Sequence, residues 1–399
     1  MEWLSIRRPS PLPNNHLLPN TQAVKKVVGQ MTKIAHLSSV HRAQDTRILH
    51  REGRSLAEAG YQVTVIANAD ADFEEHGVQV RALPKASGGR ISRMTRQVAK
   101  VYQMAREERA DLYHFHDPEL IPVGLLLRIG GKPVIYDVHE SVSKQIRSKP
   151  WIPKPLRAVV ASLYRIMEKV VTPLFSGIVA ATPGVAAYFN HLNTVVVQNY
   201  PVLSELQISD SDVPREPIVA YVGGIAEVRG AREMVTAMSL LPQDSPIRLI
   251  LGGPVQGEQL ANDLQTLPGS ERITLAGILN RQEVADLLSR ASVGLVTLHP
   301  EPNYLDAYPV KLFEYMAAGL PAVASNFPFW RQFVDDVGSG VMVDPLNPQA
   351  IADGILEIVT NPERSRQMGN AGARAVREKF NWDSEAEKLV DLYRGLLGK

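Results

Sequence analysis

"DAYPVKLFEYMAAGLP", residues 306–321, reads as a loop, a helix and the approach to a strand. Proline fits the first turn of a helix, where its missing N–H is not needed and its φ is already helical. Pro309 is therefore expected to start a helix and Gly319 to end it. Between them Leu312, Phe313, Met316, Ala317 and Leu320 recur at helical spacing and should face a core, while Lys311 and Glu314 share another side. The short apolar run "PAVAS" (321–325) follows as a strand. Lys311 falls at the third position of the expected helix, whose first turn carries partial positive charge and favours anions. A bound anion would accommodate it, and so would a Lys311–Glu314 pair.

The helix-to-strand step repeats in both directions. Upstream come "TKIAHLS", a helical stretch "DTRILHREGRSLAEAG", then "YQVTVIA", "LYHFH", "PVIYDV" and "GIVAAT". A polar, Pro- and Ser-containing segment without periodicity, "NYPVLSELQISDSDVPREP" (199–217), interrupts the series. After it stand "IVAYVGG", "IRLILGG", "RITLAG", "VGLVTL", "PAVAS" and "GVMV", separated by helical patterns such as "RQEVADLLSRA". Alternating strands and helices predict α/β domains with parallel sheets. The expected organisation is a flexible extension (1–30), a first domain (31–200), a linker (201–217), a second domain (218–380) and a closing amphipathic helix (381–399).

A chain of 399 residues fits two ordinary cores. With 45% hydrophobic and 21% charged residues and a formal net charge of +1, it is neither disordered, fibrous nor globally suited to nucleic acid. The absence of cysteine excludes disulfides, a thiolate nucleophile and sulfur-based zinc sites, and fits a reducing compartment; the cytoplasm is expected. Residues 1–30 lack the apolar run of a signal peptide, and the most apolar short segment, "LIPVGLLLRIGG" (120–131), falls short of a membrane span.

Polar residues cluster where strands end: "SSVHRAQD", "HFHDPE", "DVHES", "GGIAEVRG" and "HPEPNYLD". In open α/β sheets ligands bind beyond the carboxyl ends of the strands, so two such domains would share a cleft. No G-x-G-x-x-G follows the first strand and no P-loop occurs, which excludes the common dinucleotide and P-loop patterns. "GGIAEVRG" (223–230) offers backbone N–H groups and Arg229 before a helix, either a phosphate cradle or a glycine turn with a solvated arginine. His139 and Glu140 lack the second histidine of a metalloprotease helix. His114 and His116 share one face of a strand and could hold a metal with Asp117, but neutral histidines beside a polar cleft need no ion. No metal is expected. Asp306 and Glu314, one in a loop and one in the helix after it, could border one pocket or be surface acids.

The stretches "HRAQDTRILHREGRSLAEAGYQVTVIA", "DLYHFHDPELIPVG", "PVIYDVHES", "YVGGIAEVRGAREMV" and "PVKLFEYMAAGLPAVASNFP" resemble, in order, the family 4 retaining glycosyltransferases of GT-B fold. The resemblance spans roughly residues 32–395 and is most specific in its acid-x7-Glu motif. It implies two Rossmann-like domains facing a central cleft. The second would bind a nucleotide-diphosphate sugar as co-substrate, with no cofactor, and the first mainly a glycan or lipid-linked acceptor; the closing helix would cross back to the first. By position Glu314 matches the glutamate on the donor ribose, Asp306 the acid near the sugar and His139 a histidine beside it. Arg229 stands where the family usually has the diphosphate lysine, and Gly224 where it usually has an arginine, a role Lys311 would take over. Gly223, Gly253, Gly277 and Ile278 complete the implied donor side, and His41, Asp45, His116, Asp117 and Glu140 the acceptor or sugar side. A GT-B sugar-nucleotide epimerase and a non-catalytic sugar-nucleotide binding module share the architecture.

Residues 85–170 hold 16 Lys and Arg against 8 Asp and Glu. Arg93, Arg96 and Lys100 at helical intervals, with Trp151 among later cations, suit an anionic lipid surface. With the resemblance, this sets the expectation of a protein peripheral on the inner face of the membrane.

Overall fold

The computed structural model describes residues 31–84, 90–148, 152–189, 191–203, 215–302, 304–305 and 307–398. The expected extension, the middle of the expected linker, Trp151 and Asp306 lie outside the described residues, as does the side chain of Arg93.

The first sheet has eight strands: β1 (Lys33–Arg42), β2 (Gln62–Asn68), β3 (Phe73–Glu75), β4 (Val78–Leu83), β5 (Leu112–Phe115), β6 (Val134–Val138), β7 (Gly177–Ala180) and β8 (Thr194–Val196). Their order is β3-β4-β2-β1-β5-β6-β7-β8, parallel except for β3. The second sheet holds β9 (Ile218–Val222), β10 (Arg248–Gly252), β11 (Ile273–Gly277), β12 (Val293–Val296), β13 (Ala322–Ser325) and β14 (Gly340–Val343). It is parallel throughout, in the order β11-β10-β9-β12-β13-β14. Both sheets are doubly wound, with the strand order reversing between β1 and β5 and between β9 and β12. Beyond the carboxyl ends of those pairs a crevice opens.

The helix that opened the sequence argument runs from Val310 to Ala317, one residue later than expected. Pro309, with ψ of 85°, is still turning in from the loop and caps the helix, so Lys311 is its second residue. Gly319, at φ +62°, ends it: its N–H donates to the Met316 carbonyl at 3.0 Å and that of Leu320 to the Tyr315 carbonyl at 2.8 Å. This reversal needs a left-handed residue, which glycine adopts without a Cβ penalty. Leu312, Phe313, Met316, Ala317 and Leu320 are all buried, as their spacing implies.

The helix Trp382–Leu397 returns to the first sheet. Its Trp382 indole N–H donates to Ser55 Oγ (2.8 Å), and Glu385 Oε2 accepts from the Gln198 backbone N–H (2.9 Å). Leu389, Val390 and Tyr393 join Ile34, Val63 and Val65 in one core. Inner parallel strands, covered on both faces, normally read as apolar throughout. Here β1, β5 and β6 depart from that rule on the face under this helix, where His36, His114 and Asp137 are fully buried. His36 and His114 stand opposite each other in register.

Candidate active site

In the second domain, the turn after β9 lies against the start of the Val310–Ala317 helix. Gly223 has φ +131°, and a Cβ there would collide with Lys311 Cε; one on Gly224 would stand 3.0 Å from Arg229 Nη1. The two glycines thus make room for two cations. Arg229 donates to the Gly224 carbonyl (3.2 Å), and Lys311 Nζ sits 4.9 Å from the Tyr221 ring centroid. Among the described residues neither cation forms an ion pair. Burial, reinforced by the Arg229 charge and opposed by Glu314, pushes the Lys311 ammonium down to about 8. Two adjacent cations, one of them held partly discharged by the other, form a receptor for a dense anion. Gly253 and Gly277 continue the rim at the ends of β10 and β11, the Gly253 N–H donating to the Gly277 carbonyl at 2.6 Å. Ile278, 79% exposed, stands at its outer edge.

This packing makes Gly223→Ala informative. Its positive φ and the Lys311 contact should cost roughly 1–3 kcal/mol of stability. Nucleoside-diphosphate affinity, measured by titration calorimetry, should fall as Lys311 is displaced. Unchanged affinity would separate the glycine from the lysine.

In the first domain, Asp117, just past β5, organises the polar carboxyl end of β1. Its Oδ2 accepts from Ser38 Oγ (2.7 Å) and from the Ser39 and Val40 backbone N–H groups (2.6 and 3.2 Å). His41 Nε2 lies 3.4 Å from Asp117 Oδ1, while Nδ1 is 3.1 Å from Asp45 Oδ2. The hydrogen bond to Asp45, outweighing burial, raises the His41 imidazole above its ordinary value. Burial alone would raise Asp45, yet His41 and the Ile48 and Arg47 backbone N–H groups hold its carboxyl well below the usual range. The His41 and His139 rings are 5.2 Å apart, so His41, Asp45, Asp117 and His139 form one group. Glu140 instead turns outward and accepts from Gln145 Nε2 (2.5 Å).

Beneath His139 runs a buried chain. His139 Nε2 is 3.4 Å, and His116 Nδ1 3.1 Å, from Asp137 Oδ2; His116 Nε2 is 2.9 Å from His36 Nδ1. Tyr393 Oη then lies 3.2 Å from His36 Nε2 and 2.7 Å from His114 Nδ1. Asp137 accepts from His116 Nδ1–H, which fixes the tautomers: His116 Nε2 accepts from His36 Nδ1–H, His36 Nε2 from the Tyr393 hydroxyl, and the tyrosine oxygen from His114 Nδ1–H. Burial, with neighbouring imidazoles adding to it, pushes His36 and His114 well below their ordinary values. His116, expected on the acceptor side, is buried and reaches the cleft only through Asp137 and His139.

Arg47, 3% exposed, closes this network. It grips Asp137 with Nε (2.8 Å) and Nη2 (3.1 Å), and donates through Nη1 to the Val197 carbonyl and Asn199 Oδ1. Burial would raise Asp137, but Arg47 above all holds it far below the carboxylate range; Glu52, 2.9 Å from Arg47, is pushed well above it by burial. One acid is therefore charged and the other neutral. His36, Glu52, His114 and His116 bring metal-capable atoms within 4.8 Å of one another, but Arg47 already supplies the positive charge at that carboxylate. Sequence reasoning missed Arg47, Glu52, His36, Asp137 and Tyr393; for His36 and Asp137 the signal was a polar residue inside an otherwise apolar strand run, and Arg47, Glu52 and Tyr393, on or at the start of helical segments, carried none.

The family model described as "Glycosyltransferase Family 4" matches residues 46–199, and that described as "Glycosyl transferases group 1" matches residues 205–375. The chain belongs to glycosyltransferase family 4. This family 4 chain is 28% identical over 182 residues to the D-inositol 3-phosphate glycosyltransferase of Xylanimonas cellulosilytica, covering 44% of the chain and 42% of that relative. The match thus spans less than half of that relative's length. To the phosphatidyl-myo-inositol mannosyltransferase of Mycobacterium leprae it is 25% identical over 353 residues, 84% of this chain and 88% of that one. Among solved structures, Anabaena HepE in complex with UDP and glucose superposes with a TM-score of 0.71 at 18% identity, over 91% of this chain and all of that one. The fold is GT-B.

Proposed function

We propose that this family 4 protein transfers a sugar from a nucleotide-diphosphate sugar to an acceptor hydroxyl with retention at the anomeric carbon. The observation that carries this reading is the pair Arg229 and Lys311, packed against Gly224 and Gly223 without an ion-pair partner among the described residues. A donor diphosphate provides the missing negative charge there. Glu314, one turn beyond Lys311, binds ribose hydroxyls, and Asp306 is assigned to the sugar by its place in the acid-x7-Glu motif.

The bond from the anomeric carbon to the diphosphate oxygen breaks, the acceptor oxygen attacks from the same face, and its proton passes to the departing phosphate. No protein base is assigned. Arg229 and Lys311 stabilise the charge that develops on the leaving group, a preorganised electrostatic effect of the kind that dominates many enzymes. His139, oriented through Asp137, faces the sugar, and His41 with Asp117 shapes the acceptor side. The acceptor is a glycan or lipid-linked molecule of cell-envelope or exopolysaccharide synthesis; the inositol-lipid acceptor in the name of the mycobacterial relative supports that class.

The test is turnover of UDP-, GDP- and dTDP-sugars with and without acceptor lipids, with the product's anomeric configuration read by NMR. Retention, acceptor-dependent donor consumption and a rate indifferent to EDTA are expected. Inversion, or isomerisation of donor without acceptor, would overturn this reading.

A further inference from the structure

The helix Lys154–Val171 carries an apolar stripe on the wrong side. It packs inward through Ala161 and Glu168, yet Leu156, Val159, Val160, Leu163, Ile166 and Val170 recur at helical spacing on its outer surface. Leu163, Ile166 and Val170 are 62%, 61% and 67% exposed. Eighteen helical residues make a stripe about 27 Å long, far more than scattered surface leucines amount to. It continues past the helix. Arg128 Nε donates to the carbonyl of exposed Leu174 (3.2 Å), tying to this end of the stripe the helix Ile121–Ile129, on which Leu126 and the 82%-exposed Ile129 also face outward.

Charge identifies what covers it. Lys154, Arg165 and Lys169 are exposed on the same helix, and its one acid, Glu168, is buried and accepts from the Tyr164 hydroxyl. Pairing with a second copy about a two-fold axis would bring these cations together without an exposed helix acid between them. An anionic bilayer surface takes apolar side chains below its headgroups and cations at its phosphates. We infer that this protein docks on anionic membrane through the Lys154–Val171 helix and the adjoining Leu126–Ile129 edge. Of the two basic stretches that the sequence offered to lipid, the cations around Trp151 run into this helix, whereas the helix Arg90–Glu108 does not provide the anchor: Val101, Met104 and Ala105 face the core, and Arg96 and Lys100 are exposed without a large exposed apolar neighbour among its described side chains. The docking helix packs on Val142–Ser148, which begins two residues after Glu140. Docking therefore brings the His139 loop toward the headgroups.

Vesicle cosedimentation tests this independently of any transferase activity. The full chain should pellet with vesicles of phosphatidylcholine plus phosphatidylglycerol, less so with phosphatidylcholine alone, and salt should weaken the binding by screening. Leu163→Gln with Ile166→Gln and Val170→Gln should reduce partitioning by at least about tenfold, since three apolar side chains are withdrawn. Arg165→Gln with Lys169→Gln should abolish the preference for anionic lipid, whereas Arg96→Gln with Lys100→Gln should change little. The substituted sites are exposed, so thermal unfolding should be unaffected. Full binding by the triple glutamine variant overturns the proposal, as does a dimer in sedimentation velocity that the triple variant dissolves while wild type ignores vesicles.

Discussion

Replacement of Lys311 by Met lowers the affinity for the accepted nucleoside diphosphate by roughly 10- to 100-fold, the equivalent of ~1.5–3 kcal/mol for a hydrogen bond to a charged group. Binding of the corresponding nucleoside stays nearly unchanged. The sign of the pH dependence follows from the depressed ammonium. In the free protein Lys311 is charged below about 8 and increasingly neutral above it. The burial penalty on the charge is therefore fully present below that value and disappears as pH rises toward the ordinary lysine range. A bound diphosphate favours the charged form, so binding near pH 8 takes up protons and affinity declines from pH 7 to pH 9. Calorimetry in buffers of different ionisation enthalpy reads both effects. The methionine variant should lose the proton uptake as well as the affinity. Equal losses for nucleoside and diphosphate would assign the lysine a structural role instead.

The second large effect lies beneath the first domain's half of the cleft. Arg47→Met removes the cation shared by Asp137 and Glu52 and should cost roughly 3–5 kcal/mol, because a buried carboxylate is left without its partner. With Arg47 present, Asp137 is held far below its unfolded value. Its contribution to stability is thus present above the ordinary carboxylate range and is lost only in strong acid. Without Arg47, burial favours a proton on Asp137, and an Asp137 carboxylate left ionised favours one on adjacent His116. The difference between wild type and variant should accordingly be larger at pH 8 than at pH 5 in urea unfolding. A difference independent of pH would mean that packing rather than charge is lost.

The fold was legible because its signals are local. Strand runs such as "YQVTVIA" and "IVAYVGG" became β2 and β9, and the face of the Val310 helix is set by spacing alone. The donor half was legible for a related reason: Gly223, Gly224 and Arg229 are near neighbours, and Lys311 stood out as a misplaced charge. The network under His139 was illegible because its members are remote in the chain; Tyr393 and His36 are 357 residues apart. Nor does sequence distinguish His139, left part-exposed beyond a strand end, from His114, buried against a helix arriving from the far end. The exposed stripe was missed differently. Helical spacing of "LRAVVASLYRIMEKVV" announces an apolar face, and only the three-dimensional arrangement reveals that nothing in the described chain lies over it.

The helix Trp382–Leu397 finally bears on how the molecule comes into being. On the ribosome, every strand of the first sheet emerges before the second domain, and that helix emerges after it. Until then Ser55 and the Gln198 backbone lack their partners, and His36 and His114 lack the Tyr393 hydroxyl. Contacts between residues so distant in the chain form late, because the intervening segment must first be ordered. The first domain to be made is thus the last to be finished, and the hydrogen-bond chain leading to His139 is completed only when the second domain has already been translated.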